Sequence, residues 1–237
     1  MVSDEQKKEI AQLRERGLPP KAIARQLSLR PSEVSAVLQE QAQASAQAVG
    51  RDTLPPLVAC LVSRGWSCGL GLRDEALAWS DPEPDVGGTE GLVGILIARR
   101  QRYDKLTVAG YLVDTFCLGI KNALGPQTVE DDKFPQFAQR YFGAFHGAPV
   151  EAPLALAQCL VLGAEEYARA LGFEPHSDYQ AVRGLLGERP GPYPIRFGRD
   201  GRPVFVVGPD DNPVRIVATL RRTVGEGRFD VVSIHPR

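Results

Sequence analysis

The sequence predicts an α+β protein in two parts: a small three-helix domain, then a larger α+β domain with antiparallel strands and a central buried helix. Three observations carry that expectation. The first forty residues hold three short amphipathic stretches, two of them opened by proline. Two apolar, partly β-branched runs, Val93 to Ala98 and Leu106 to Val113, flank a charged turn. Pro153 to Leu171 is apolar on most sides and is closed by Gly172.

The first helix begins where Ser3 and Gln6 stand in capping-box register. Ile10 and Leu13 give it an apolar side, and Gly17 followed by Leu18 fits a left-handed cap at its end. Pro19 and Pro20 open a second helix, because a first-turn proline loses no hydrogen bond and brings φ already set. Ala22, Ile23, Ala24 and Leu27 are its buried face. After Ser28 and Leu29, Pro31 opens a third helix, with Glu33 at the positive end of its dipole and Val34, Val37 and Leu38 inward. These helices make a domain over residues 1–40. The Gln- and Ala-rich stretch that follows has little apolar surface to pack, so residues 41–56 read as a linker ending at Leu54-Pro55-Pro56.

The larger domain spans residues 57–237. Leu57 to Gly65 reads as a helix or a buried strand, Asp74 to Trp79 as a short amphipathic turn, and Asp81 to Gly91 as a surface loop. The runs on either side of Arg99 to Lys105 suit an antiparallel pair. Asp114 is placed to cap a helix from Thr115 to Leu124 that stops at Gly125-Pro126. Phe134, Phe137, Tyr141 and Phe145 recur at helical spacing and form a core face. Ile195 to Phe197 and Pro203 to Val207 flank Gly198-Arg199-Asp200-Gly201, a hairpin signal. Asp211 or Asn212 caps a helix opened by Pro213, and Phe229 to Ile234 adds a last strand.

Composition narrows the function. The 28 basic and 29 acidic side chains give a formal charge of -1, so any attraction for phosphates must be local. Cys60, Cys68, Cys117 and Cys159 form no Cys-x-x-Cys pair and no zinc spacing with histidine, which fits reduced thiols in a cytoplasm. The charged start suits no ordinary signal peptide, and no apolar run approaches the ~20 residues of a membrane helix. Neither a metal nor a cofactor is expected, since phosphate-loop and nucleophile-elbow patterns do not occur.

The segment Ala11-Gln-Leu-Arg-Glu-Arg-Gly-Leu-Pro-Pro-Lys-Ala-Ile-Ala-Arg-Gln-Leu-Ser-Leu-Arg-Pro-Ser-Glu-Val-Ser-Ala-Val-Leu38 resembles the helix-turn-helix of bacterial regulators and recombinases. That resemblance implies a third helix entering the major groove by its N-terminal residues, here Arg30, Ser32, Ser35 and Gln39, with Lys21 and Arg25 over phosphates. Glu33 and Glu40 oppose it: seven basic and six acidic side chains leave the first forty residues at only +1. A homodimer would multiply such a weak site by effective concentration. The same small bundle also serves protein docking. Val-Asp-Thr-Phe-Cys-Leu-Gly-Ile-Lys-Asn and Leu-Gly-Phe-Glu-Pro-His look like strings in uncharacterised bacterial helix-turn-helix proteins, which implies no activity.

Three groups in the larger domain carry chemistry. Asp114 and Cys117 put a thiol near an expected helix start, where a dipole would activate it, although the sequence nearby offers no histidine base. Glu165, Glu166, Glu174, His176 and Asp178 gather near the end of the long helix, in no metal-ligand signature; an exposed helix end explains them as well. Arg99, Arg100, Arg102 and Lys105, with Tyr103 among them, form a basic turn that could grip phosphates or be simply solvated. Gly198 to Arg202 has the same two readings. The leading expectation is a DNA-binding protein, a transcriptional regulator or DNA-associated factor, whose larger domain dimerises, senses a ligand or recruits a partner. The alternatives are an enzyme acting on nucleic acid, and an RNA-associated or scaffold protein.

Overall fold

The computed structural model describes residues 6, 9, 10, 13, 20–27, 29, 30, 33, 34, 37, 54–84, 91–189 and 191–233. The chain divides into two compact units, Met1–Leu54 and Pro55–Arg237.

In the first unit, α1 (Pro20–Gln26) starts on the proline that suits a first turn. Gln6, Glu9, Ile10 and Leu13 are helical, as are Glu33, Val34 and Val37. Ile10, Leu13, Ile23, Ala24, Val34 and Val37 form one buried cluster, against which Leu27 and Leu29 pack. The turn at Arg30 is capped from within: its N–H donates to Glu33 Oε2 at 3.0 Å, and its carbonyl accepts from the N–H groups of Glu33 and Val34. Glu33 thus does the work of a capping-box glutamate as well as facing the dipole. Ser3, the expected partner of Gln6, and residues 41–53 of the expected linker 41–56 lie outside the described residues.

In chain order the second unit runs β1 (Leu57–Val62), β2 (Gly71–Leu72), a 3-10 turn (Asp74–Ala78), β3 (Leu92–Arg100), β4 (Lys105–Asp114), β5 (Gly119–Glu130), α2 (Phe134–Tyr141) and β6 (Val150–Glu151). There follow α3 (Leu154–Ala170), α4 (Tyr179–Leu186), β7 (Ile195–Arg196), β8 (Val204–Val207), α5 (Pro213–Thr223) and β9 (Asp230–Ser233). Five strands make an antiparallel sheet in the order β5-β4-β3-β1-β6. Among the described residues no helix is long and apolar enough to cross a membrane.

Both faces of the central strands are covered, which is why β3 reads as a continuous apolar run instead of an alternating one. Cys60, Val62, Ile95, Ile97, Tyr111 and Val113 meet Leu156, Leu160 and Val161 of α3 in the largest core. Leu96, Ala98, Leu106 and Val108 turn the other way, toward Phe134, Phe137, Tyr141, Phe142 and Phe145. The aromatic series expected to be core is partly buried and packs against this cluster, whose one fully buried ring is Phe142. α3 is buried on nearly every side and needs glycine neighbours to fit: a Cβ at Gly163 would sit 2.7 Å from the Phe197 ring, and one at Gly119 2.6 Å from Ala168. A third cluster joins Cys117, Leu171, Phe205 and Leu220 beneath the parallel pair β8–β9, which α5 connects as parallel strands require. Asn212 Oδ1 caps α5 by accepting from the Arg215 N–H at 3.1 Å.

Two expected elements are replaced. The helix from Thr115 to Leu124 is instead a tight turn followed by β5: Asp114 does accept two N–H groups in a cap-like manner, but Gly119 at φ 68 reverses the chain and pairing with β4 takes over. Tertiary pairing outweighs a weak local propensity. The strands beside Gly198 to Gly201 do not pair with one another either. β7 joins β2 and β8 joins β9, leaving only a bridge between Arg199 and Arg202.

Candidate functional site

Of the side chains assigned to DNA, Arg25 is exposed on α1, and Arg30 is exposed with its guanidinium 3.8 Å from the Glu33 carboxylate. Lys21 belongs to α1. Ser32, Ser35 and Gln39 lie outside the described residues. Arg30 therefore opens a helical turn, with the Glu33 carboxylate close to both its backbone N–H and its guanidinium.

The basic turn between β3 and β4 is not a cluster of available cations. Arg99 is only 5% exposed; its Nε donates to Leu185 O at 2.6 Å and its Nη1 to Pro55 O at 2.8 Å, a structural tie between strand and helix end. Burial pulls its pKa below the usual guanidinium value. Arg100 is bound to Asp131 at 2.5 Å, and Lys105 stands opposite Glu130 in the β4–β5 register. What projects is Arg102 and Tyr103, the latter 86% exposed and at φ 59, a left-handed conformation rare for an aromatic residue.

Asp114 and Cys117 are together, and His176 is not with them. Asp114 is buried at the close of β4, where Oδ1 accepts from the N–H groups of Phe116 at 2.9 Å and Cys117 at 3.0 Å. Burial raises its carboxyl to about 6, against the pull of three backbone N–H donors and the Lys121 charge. The Cys117 thiol is pushed up by burial and then by the Asp114 and Asp211 charges, which holds it protonated and unlike an activated nucleophile. His176 instead uses Nδ1 to accept from the Asp178 N–H, while its backbone N–H donates to Ile120 O. The partners sequence reasoning missed are Lys121 and Asp211, paired at 2.8 Å and nearly buried, with Asp211 Oδ2 also accepting from the Gly208 N–H. Reading residues 119–130 as a strand would have turned Lys121 toward this cluster.

The carboxylates expected at an exposed helix end separate into two kinds. Glu174 is exposed, but Glu165 is 5% exposed and accepts from Tyr179 Oη at 2.7 Å, with Arg169 Nη1 at 3.0 Å and Arg183 Nε at 3.5 Å. This joins α3 to α4. Among the described residues no group of three or more His, Cys, Asp or Glu side chains could hold a metal ion.

A second basic turn lies at Gly198 to Arg202. Arg202 is bound to Asp230, at 2.6 Å from Nε to Oδ2. Arg199 lies over the Phe116 ring at 5.0 Å, and Arg196 packs across Gly201. No protein-family model, curated protein or solved structure matches the chain.

Proposed function

We propose that the chain is a DNA-binding protein, a regulator or DNA-associated factor, in which the first unit contacts duplex DNA and the second dimerises, senses a ligand or recruits a partner. The observation that carries this reading is the buried cluster of the first unit, drawn from three stretches of chain, with Arg25 and Arg30 left exposed. In the helix-turn-helix arrangement that the sequence resembles, such a cluster holds a recognition helix whose first turn meets the bases. Arg30, at the opening of a capped turn, is where that contact is needed. The free cysteines, three of them buried, suit the reducing cytoplasm in which such a factor works.

The test is binding of the full chain to a random duplex as a function of salt. Arg25→Ala with Arg30→Ala is expected to weaken binding about 10- to 100-fold, and the log–log salt slope becomes shallower by ~0.9 for each phosphate that is no longer neutralised. No binding by the intact chain at low salt removes this reading.

The exposed Tyr103 beside Arg102 supports a second reading, single-stranded RNA held by stacking on the hairpin tip. In that case Tyr103→Ala costs about 1–3 kcal/mol in affinity for a single strand and leaves duplex binding unchanged. Equal binding by the variant and the parent eliminates it.

A further inference from the structure

The geometry points to a phosphate-binding face in the second unit, formed by Arg73 and Arg196. β2 and β7 pair antiparallel with Gly71 opposite Arg196 and Leu72 opposite Ile195, and the Arg73 N–H carries the pairing on to Pro194 O at 3.0 Å. Side chains alternate along such a ribbon. Leu72 and Ile195 turn to the core, so Arg73 shares the outer face with Arg196, and both are exposed.

Arg196 is seated in a trough with glycine on both sides. A Cβ at Gly71 would lie 3.1 Å from its Cβ, and one at Gly201 would collide with its Nε. Any side chain at Gly201 would displace the guanidinium, and the residue stands at φ 79, where glycine is at ease.

The Arg196 guanidinium is thus held in place before any ligand arrives. Arg73 and Arg196 are exposed, and among the described residues neither side chain is hydrogen-bonded to or ion-paired with a carboxylate. This contrasts with Arg99, Arg100 and Arg202, whose guanidinia are engaged by protein oxygens. Asp74, next to Arg73 in the chain and also exposed, tempers the charge. Two exposed arginine forks on one face of the ribbon, that of Arg196 already seated, suit the bidentate geometry of a phosphate group. The ligand is therefore a phosphate, in a nucleic-acid backbone or free; the first source rests on the DNA-binding reading above and makes this face a second contact of the same complex.

The experiment uses the full chain, as parent, as Arg73→Ala with Arg196→Ala, and as Arg25→Ala with Arg30→Ala, each checked for an unchanged thermal midpoint. Duplex binding is followed against salt, and the Arg196 Nε–H signal is followed in NMR during titration with inorganic phosphate. The expected result is a 10- to 100-fold loss of duplex affinity in the Arg73 and Arg196 variant, with the slope shallower by about 1.8, the value for two phosphates. Unchanged affinity and slope, with weakening only in the Arg25 and Arg30 variant, overturns the second contact and leaves the DNA reading intact. If the parent binds no duplex, that reading fails; a saturating phosphate shift at Arg196, abolished by Arg73→Ala, then assigns the face to free phosphate. No shift overturns the face altogether.

Discussion

Asp114→Ala is expected to destabilise the second unit by about 2–4 kcal/mol at neutral pH, because each buried N–H stripped of its acceptor costs ~1–3 kcal/mol. Its carboxylate takes the N–H groups of Phe116 and Cys117, both almost wholly buried and out of reach of water. The damage spreads beyond two bonds. The turn that Asp114 closes presents Thr115 O to the Gly198 N–H and Phe116 O to the Val204 N–H, so it anchors the start of β8. Relief of a buried charge offsets part of the loss, which is why the range stops near 4. Asp114→Asn keeps Oδ1 as an acceptor and is expected to cost less than half as much. A denaturant midpoint unmoved in Asp114→Ala would show that the turn holds without its carboxylate.

The same group gives stability a pH dependence of predictable sign. Burial raises the carboxyl from 3.8 to about 6, so the folded chain binds this proton more tightly than the unfolded chain. The contribution is full below pH 3.8 and is lost as the pH rises through about 6. Asp114→Asn cannot titrate, so its stability relative to the parent should improve across that window. A constant difference between the two from pH 4 to pH 7 would place the cause elsewhere.

Much of this fold was legible, and the failures share a cause. β3 and β4 were readable because both runs are β-branched and the turn between them is charged. α3 was readable from its length, with Pro153 before it and Gly172, at φ 91, after it. α5 followed from Asn212 and Pro213. β5 was hidden because it is an edge strand, half polar, and begins behind an aspartate that caps a turn as it would cap a helix. β2 and β7 are two-residue strands joined across more than a hundred residues of chain, and no local period betrays such a pair. The sites follow the same division. Which arginines are spent inside the molecule depends on neighbours distant in sequence: Arg99 finds Leu185 and Pro55, Arg100 finds Asp131, and Arg196 packs against Gly71 and Gly201.

Glu165→Ala is expected to cost about 3–5 kcal/mol, the range for breaking a buried charged network by removing one partner. The three donors do not share that cost evenly. Arg169 and Arg183 have side chains 47% exposed and recover water when the carboxylate goes, so their contribution to the loss is small. Tyr179 is wholly buried, and its hydroxyl has Glu165 at 2.7 Å as its acceptor. Most of the penalty therefore belongs to one stranded hydroxyl and to the cavity left beside α4. A double-mutant cycle separates the two. Tyr179→Phe alone leaves a buried carboxylate still served by two arginines and is expected to cost about 1–2 kcal/mol. Adding it to Glu165→Ala removes the stranded hydroxyl, so the double variant should be more stable than the sum of the single losses by about 1–3 kcal/mol. Additive losses would mean that the Tyr179 hydroxyl and the Glu165 carboxylate contribute independently, Tyr179 through its packing against Tyr111 and Val182.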